Sequence, residues 1–271
     1  MATDLGSTEA QLPVPAAEPS APAPKSSAPP HRWRFMFIYA TLAAVLGLAV
    51  AGVVIYAGRS INPAPKWSAW KPSGGGLGAA KQIADRVGGT YHLPSGQQLV
   101  DVIAKSPSVS PADQQIPIHY VAVRGTKGVV DQIFPVDSSN SLMYSLCGLG
   151  SSCSIGAGTP SVARGTLVRR EILELALYTF KYVGGVKSVI AFMPPTPGAQ
   201  PTLAVYLQKN DFAAQLKHPL DQTLNTKVPL PSAITAKEQE TIDSTTQSRV
   251  YKFSLSQAQQ GDAILVLQPL A

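Results

Sequence analysis

The run Phe35–Gly58, FMFIYATLAAVLGLAVAGVVIYAG, contains no charged residue, and a chain carrying it has few places to put it. As a helix rising about 1.5 Å per residue it spans roughly 36 Å, enough to cross a hydrocarbon core of about 30 Å with some tilt. A cleavable secretory signal has an apolar core of only about 7–15 residues, followed by a small-residue cleavage site. Here the run starts after a tail and ends in Tyr56-Ala-Gly-Arg59, so residues 35–58 read as an uncleaved, single-pass signal anchor. Aromatic residues sit at both borders, Trp33, Phe35, Phe37 and Tyr39 at the first and Tyr56, Trp67 and Trp70 at and beyond the second, where amphipathic rings favour the membrane interface. Lys25, Arg32 and Arg34 precede the run, and Arg59, Lys66 and Lys71 follow it. The positive-inside count is therefore a tie, and the proximity of Arg32 and Arg34 tips it only slightly towards a cytoplasmic N-terminus.

Charge is distributed unevenly behind the anchor. Lys and Arg number 22 against 16 Asp and Glu, a formal charge of +6. The tail through Arg34 is balanced, so the excess follows the anchor. From Arg59 to Lys127 eight bases face only Asp85, Asp101 and Asp113, which suits a surface held near anionic headgroups or an anionic envelope polymer. No dense basic cluster interleaved with aromatics occurs, which argues against nucleic acid as a partner.

The chain divides into a Pro/Ala/Ser-rich tail over residues 1–34, too poor in apolar groups to offset its ordering entropy, the helix 35–58, a juxtamembrane linker 59–76, and a folded body 77–271. Within that body Leu77–Val87 predicts a short helix. Strands are expected over 98–104, 116–124, 129–136 and 142–146, the second and third joined by the glycine-bounded turn Gly125–Gly128. A long helix is predicted from Ser161 or Thr166 to Val183, apolar on most sides with Arg170, Glu174 and Lys181 as a narrow polar stripe. Strands 186–193 and 202–208 follow. Thr235-Ala-Lys-Glu238 is a capping box, and a closing hairpin over 250–255 and 263–267 turns at Gln260-Gly261. The expected fold is α+β, a mixed α/β extracytoplasmic domain with an antiparallel sheet behind a single transmembrane helix.

Two cysteines, Cys147 and Cys153, bracket a Gly-rich stretch. The short spacing allows a structural disulfide worth roughly 2 kcal/mol in the chain-entropy model. Two unpaired thiols are the alternative, and a redox-active pair normally has closer spacing. A bond would place the body in an oxidising space and support a cytoplasmic N-terminus. Metal binding calls for more ligands than the scattered His92, His119 and His218 provide. Gly148-x-Gly150 lacks the third glycine of the dinucleotide fingerprint, and Gly76–Lys81 lacks the features of a phosphate loop. Ser68-Ala-Trp-Lys71 has no accompanying Lys-Thr-Gly. No catalytic, cofactor-binding or metal-binding residue is assigned. His92, Asp131, Asp137, Glu171 and Glu174 are the side chains whose convergence in one pocket would signal an enzyme.

Glu174-Leu-Ala-Leu-Tyr-Thr-Phe-Lys181 followed by Gly185-Val-Lys-Ser-Val189 resembles the GerM domain of bacterial sporulation and germination proteins, over about residues 166–193. Pro194-Pro-Thr-Pro departs from that pattern, as does the preceding cysteine loop. The resemblance implies an exported, membrane-attached module that works by protein–protein assembly, with no catalytic residues to carry over. The expected function is thus a bacterial single-pass membrane protein whose extracytoplasmic domain assembles with other envelope or membrane proteins. The alternatives are a hydrolase or transferase acting on cell-wall material through the Cys147–Gly158 loop, or an accessory subunit of a membrane complex.

Overall fold

The structure is a computed structural model that describes residues 32–58, 66–109, 116–125, 133–258 and 262–270. Most of the tail, Asp131, the tip of the turn after Gly125 and the turn at Gln260-Gly261 lie outside the described residues. The chain forms two units, residues 1–62 and 63–271.

The first unit contains α1, Arg32–Gly58. Its segment Trp33–Val54 is long and apolar enough to cross a membrane. The side chain of Thr41 donates to the carbonyls of Phe37 and Ile38, at 3.0 and 2.9 Å, so its hydroxyl is satisfied within the helix, as a bilayer would require.

The second unit opens with α2, Gly76–Gly88, and carries the long helix α3, Val162–Tyr182, and the short α4, Ala236–Thr246. Nine strands are described: β1 Asp101–Lys105, β2 Ser108–Val109, β3 Ile116–Arg124, β4 Ile133–Asp137, β5 Ser141–Cys147, β6 Ser188–Phe192, β7 Leu203–Gln208, β8 Val250–Gln257 and β9 Ala263–Pro269. They form one sheet in the order β1-β5-β6-β7-β8-β9-β3-β2, with β4 also on β3. The expected β3–β4 pairing forms, with Tyr120 opposite Asp137 and Arg124 opposite Ile133.

The sheet is mixed, which corrects the antiparallel expectation. β5 and β6 run parallel, as do β3 and β9. The first case follows from α3, because a helix inserted between two adjacent strands returns the chain to its starting end and makes the second strand parallel. The β3–β9 pair joins segments more than a hundred residues apart, a partnership that local pattern does not encode.

Alternation along the strands builds two cores. Leu142, Tyr144 and Leu146 of β5, Val189 and Ala191 of β6, and Val205 and Leu207 of β7 pack on the helices. The intervening Met143, Ile190, Ala204 and Tyr206 pack instead with Ile118 and Val121 of β3 and Leu265 and Leu267 of β9. β5 and β3 are five places apart in the sheet yet share this second core, so the sheet coils until its far strands meet, nearly as a barrel does.

α3 is the pillar of the first core. Its N-cap Ser161 accepts the Arg164 N–H at 3.2 Å, and Gly185, with φ +81°, turns the chain out at its far end. Leu173, Leu175 and Leu177 are fully buried, each contributing about 1.5–3 kcal/mol. The folded body also takes in part of the stretch read as linker. Trp67 is buried against α3, and Gln82 of α2 exchanges hydrogen bonds with Ser73 at 2.9 and 3.0 Å. An indole has more apolar area to bury than an unstructured linker can cover.

Candidate functional site

Four residues per step along α3 place Arg170, Glu174, Tyr178 and Tyr182 on one stripe. Arg170 is fully buried, contrary to its expected place on a polar edge. Its Nε donates to Glu238 Oε1 at 2.8 Å, one Nη2 hydrogen goes to the Asn225 carbonyl at 2.7 Å, and Nη1 reaches the Tyr91 hydroxyl and Glu174 Oε2, the latter at 3.2 Å. The Tyr91 hydroxyl in turn donates to Glu174 Oε2 at 2.6 Å. Glu238 accepts the backbone N–H of Asn225 at 2.9 Å and its side-chain amide as well. This explains why only half of the capping box forms. Thr235 accepts the Glu238 N–H at 3.3 Å, but the Glu238 carboxylate is drawn inward to the guanidinium, where a charge-assisted bond is stronger.

The network is acidic. One guanidinium faces three carboxyls, those of Glu171, Glu174 and Glu238. Glu171 is completely buried, and neither of its oxygens has a hydrogen-bond partner among the described residues. Burial, reinforced by the neighbouring Glu174, pushes its carboxyl well above the usual range, against a weaker pull from Arg170. Burial also raises Glu174, while Tyr91 and Arg170 pull it back. Burial therefore favours the neutral form of Glu171 in the core, and Glu174 is the carboxyl held at the surface of the network.

Glu174 opens onto a cavity of 520 Å³. Trp67, Trp70 and Tyr178 form an aromatic wall, and Arg86, Asp221 and Asn225 add polar groups. Trp67 and Trp70 each meet Tyr178 edge to face, with centroids 5.4 and 5.6 Å apart. The Trp67 indole N–H donates to the Gln215 carbonyl at 3.1 Å, and the Lys181 ammonium lies 5.7 Å from its ring centre. Such walls hold their shape before any ligand arrives, as a recognition site requires.

Of the sequence candidates, Glu174 lines this cavity and Glu171 lies one turn away on α3. His92 is exposed and contacts the Thr90 carbonyl at 3.2 Å. Asp137 caps the turn Ser138–Asn140, where bonds from the Ser139 N–H and hydroxyl hold its carboxyl below the usual range. Asp131 is outside the described residues. Tyr91, Glu238 and the two tryptophans were not identified from sequence. The one available signal was the four-residue spacing of polar groups within a helix otherwise apolar.

Cys147 and Cys153 are disulfide-bonded, with Cα atoms 4.4 Å apart. The loop they close is also tied by Gly148 N–H to the Cys153 carbonyl at 2.8 Å and Gly150 N–H to the Ser154 carbonyl at 2.7 Å. Ser152 and Cys153 adopt φ of 53° and 62°, the left-handed region that costs a non-glycine residue roughly 1–2 kcal/mol. A Cβ on Gly148 would lie 2.1 Å from the Ser154 carbonyl oxygen. The stretch is a compact staple at the end of β5. No known protein-family model, no curated protein and no solved structure matches this chain.

Proposed function

We propose that the protein is a bacterial single-pass membrane protein whose folded body stands on the extracytoplasmic side and binds another envelope component, acting as an assembly module. The preformed aromatic cavity beside Glu174 carries this reading. Its carboxyl and its ring wall are fixed by α3 and by the Arg170 network, which suits recognition by a rigid surface. The apolar α1, the disulfide and the local resemblance of α3–β6 to the GerM domain support the placement. The test is a photo-crosslinking amino acid at position 70, in full-length protein in living cells, compared with one at Lys237 on exposed α4. The reading expects a discrete adduct from position 70 that Glu174→Gln weakens. Identical adduct patterns from the two positions would remove the cavity from the account.

A second reading draws on the raised Glu174 carboxyl, which suits a proton donor. In that case the protein is a hydrolase or transferase acting on cell-wall material, with Glu174 as its acid. Turnover of cell-wall fragments lost in Glu174→Gln, with binding retained, would favour it.

A further inference from the structure

Arg164 has no counter-ion among the described residues. Three arginines that pack in or beside the same helices have acidic partners: Arg169 meets Asp243 at 2.6 Å, Arg170 meets Glu238 at 2.8 Å, and Arg249 meets Asp211 at 3.1 Å. Arg164 is only 7% exposed, yet its guanidinium makes a single hydrogen bond, from Nη1 to the Ala157 carbonyl at 2.8 Å. Four of its five donor hydrogens are left over. Nε and Nη2 keep access to solvent, and a largely buried cation without a counter-ion still carries a desolvation cost.

Its position makes the imbalance larger. Arg164 is the third residue of α3, and the first turn of that helix has no acidic residue. The positive end of a helix disfavours a cation and favours an anion. Ser161 caps the Arg164 N–H, and Gly165 N–H bonds the Ser161 carbonyl, which leaves the N–H groups of Val162 and Ala163 without intrahelical acceptors. Guanidinium and helix end thus converge on one spot with nothing negative between them. That spot borders a 370 Å³ cavity lined also by Thr159, Ser161, Leu93, Pro94 and Pro231.

We infer that this cavity, separate from the one beside Glu174, binds a compact oxyanion carried on an apolar group. The guanidinium and helix end supply charge and donors, and the leucine and prolines supply the apolar wall. A phosphate head and a carboxylate head share this chemistry, and either can be a free solute or part of a lipid.

The test uses the full-length protein in nanodiscs of neutral lipid, with thermal unfolding monitored while phenyl phosphate, phenylacetate or inorganic phosphate is added. At about tenfold excess over Kd the melting temperature should rise by about 3–6 °C, with the phenyl-bearing anions ahead of inorganic phosphate. Nanodiscs containing phosphatidylglycerol form a second arm. A rise there, with none from the soluble anions, assigns the site to a lipid headgroup. Arg164→Met should abolish the response while leaving the ligand-free protein at least as stable as before, because it removes an unpaired charge. Ser232→Glu, which places a carboxylate on the cavity rim, should raise ligand-free stability and blunt the response. Equal responses from wild type and Arg164→Met, or no response in either arm, would overturn the site, as would a destabilised Arg164→Met protein joined to a Ser232→Glu protein that is no more stable than the wild type and responds to the anions as the wild type does.

Discussion

Glu171→Met should stabilise the protein, by an amount that grows with pH. In the wild type both carboxyl oxygens are buried without partners, and an unsatisfied buried polar group costs about 1–3 kcal/mol. A methionine fills similar space in a helix without that demand. The second contribution is ionisation. The folded-state pKa is raised by burial and by Glu174, so the neutral form is favoured in the folded protein and the charged form in the unfolded chain. The unfolded state then holds fewer protons between the two pKa values, and wild-type stability falls as pH rises above about 4.3, the ordinary glutamate value. The slope is about 1.4 kcal/mol per pH unit until the folded pKa is reached. For a body of roughly 200 residues that corresponds to about 3–6 °C in Tm. Thermal unfolding of both proteins at pH 4, 5 and 6 measures it. The difference should be smallest at pH 4 and widen with each step. Glu171→Gln should match the wild type at pH 4, since it keeps the unsatisfied polar atoms, and then gain stability as pH rises. A difference that does not vary with pH, or a methionine variant less stable throughout, would refute the buried neutral acid.

Arg170→Met strands Glu238 and Glu174 in the core, and removing one partner of a buried pair costs about 3–5 kcal/mol; a loss under about 1 kcal/mol by urea titration would contradict the network. Replacing both cysteines by serine should lower stability by roughly 2 kcal/mol, and a reducing agent should reproduce the change in the wild type but not in the double variant. Gly148→Ala forces its Cβ onto the Ser154 carbonyl, so it should cost more than the cysteine replacement and hasten reduction of the disulfide, read from thiol release over time. Trp67→Ala should cost about 3–5 kcal/mol, because the ring is a buried contact of α3; a near-neutral result would return that residue to the linker.

Periodicity was the most legible feature. The apolar run of α1, the spacing along α3 and the alternation of β3, β5 and β7 reflect local constraints, and each element forms close to its expected bounds. Sheet order was not legible, since the parallel β3–β9 pair depends on contacts between opposite ends of the body. The site was half legible for a related reason. Arg170 and Glu174 share α3, so spacing brings them together. Tyr91, Asn225 and Glu238 arrive from separate segments, and nothing near each of them marks a buried guanidinium as its destination. Trp67 misleads for a different cause. A tryptophan shortly after an apolar helix suits a membrane interface, and only the neighbouring Tyr178 and Tyr182 turn it into a core residue.

The placement of the folded body outside the cytoplasm is tested most directly by labelling Cys147 and Cys153 with a membrane-impermeant maleimide in intact cells, with and without prior treatment with an impermeant reductant. The account predicts labelling in intact cells only after reduction, because the two sulfurs are bonded and the proposed placement puts them outside. Labelling confined to lysed cells would contradict it.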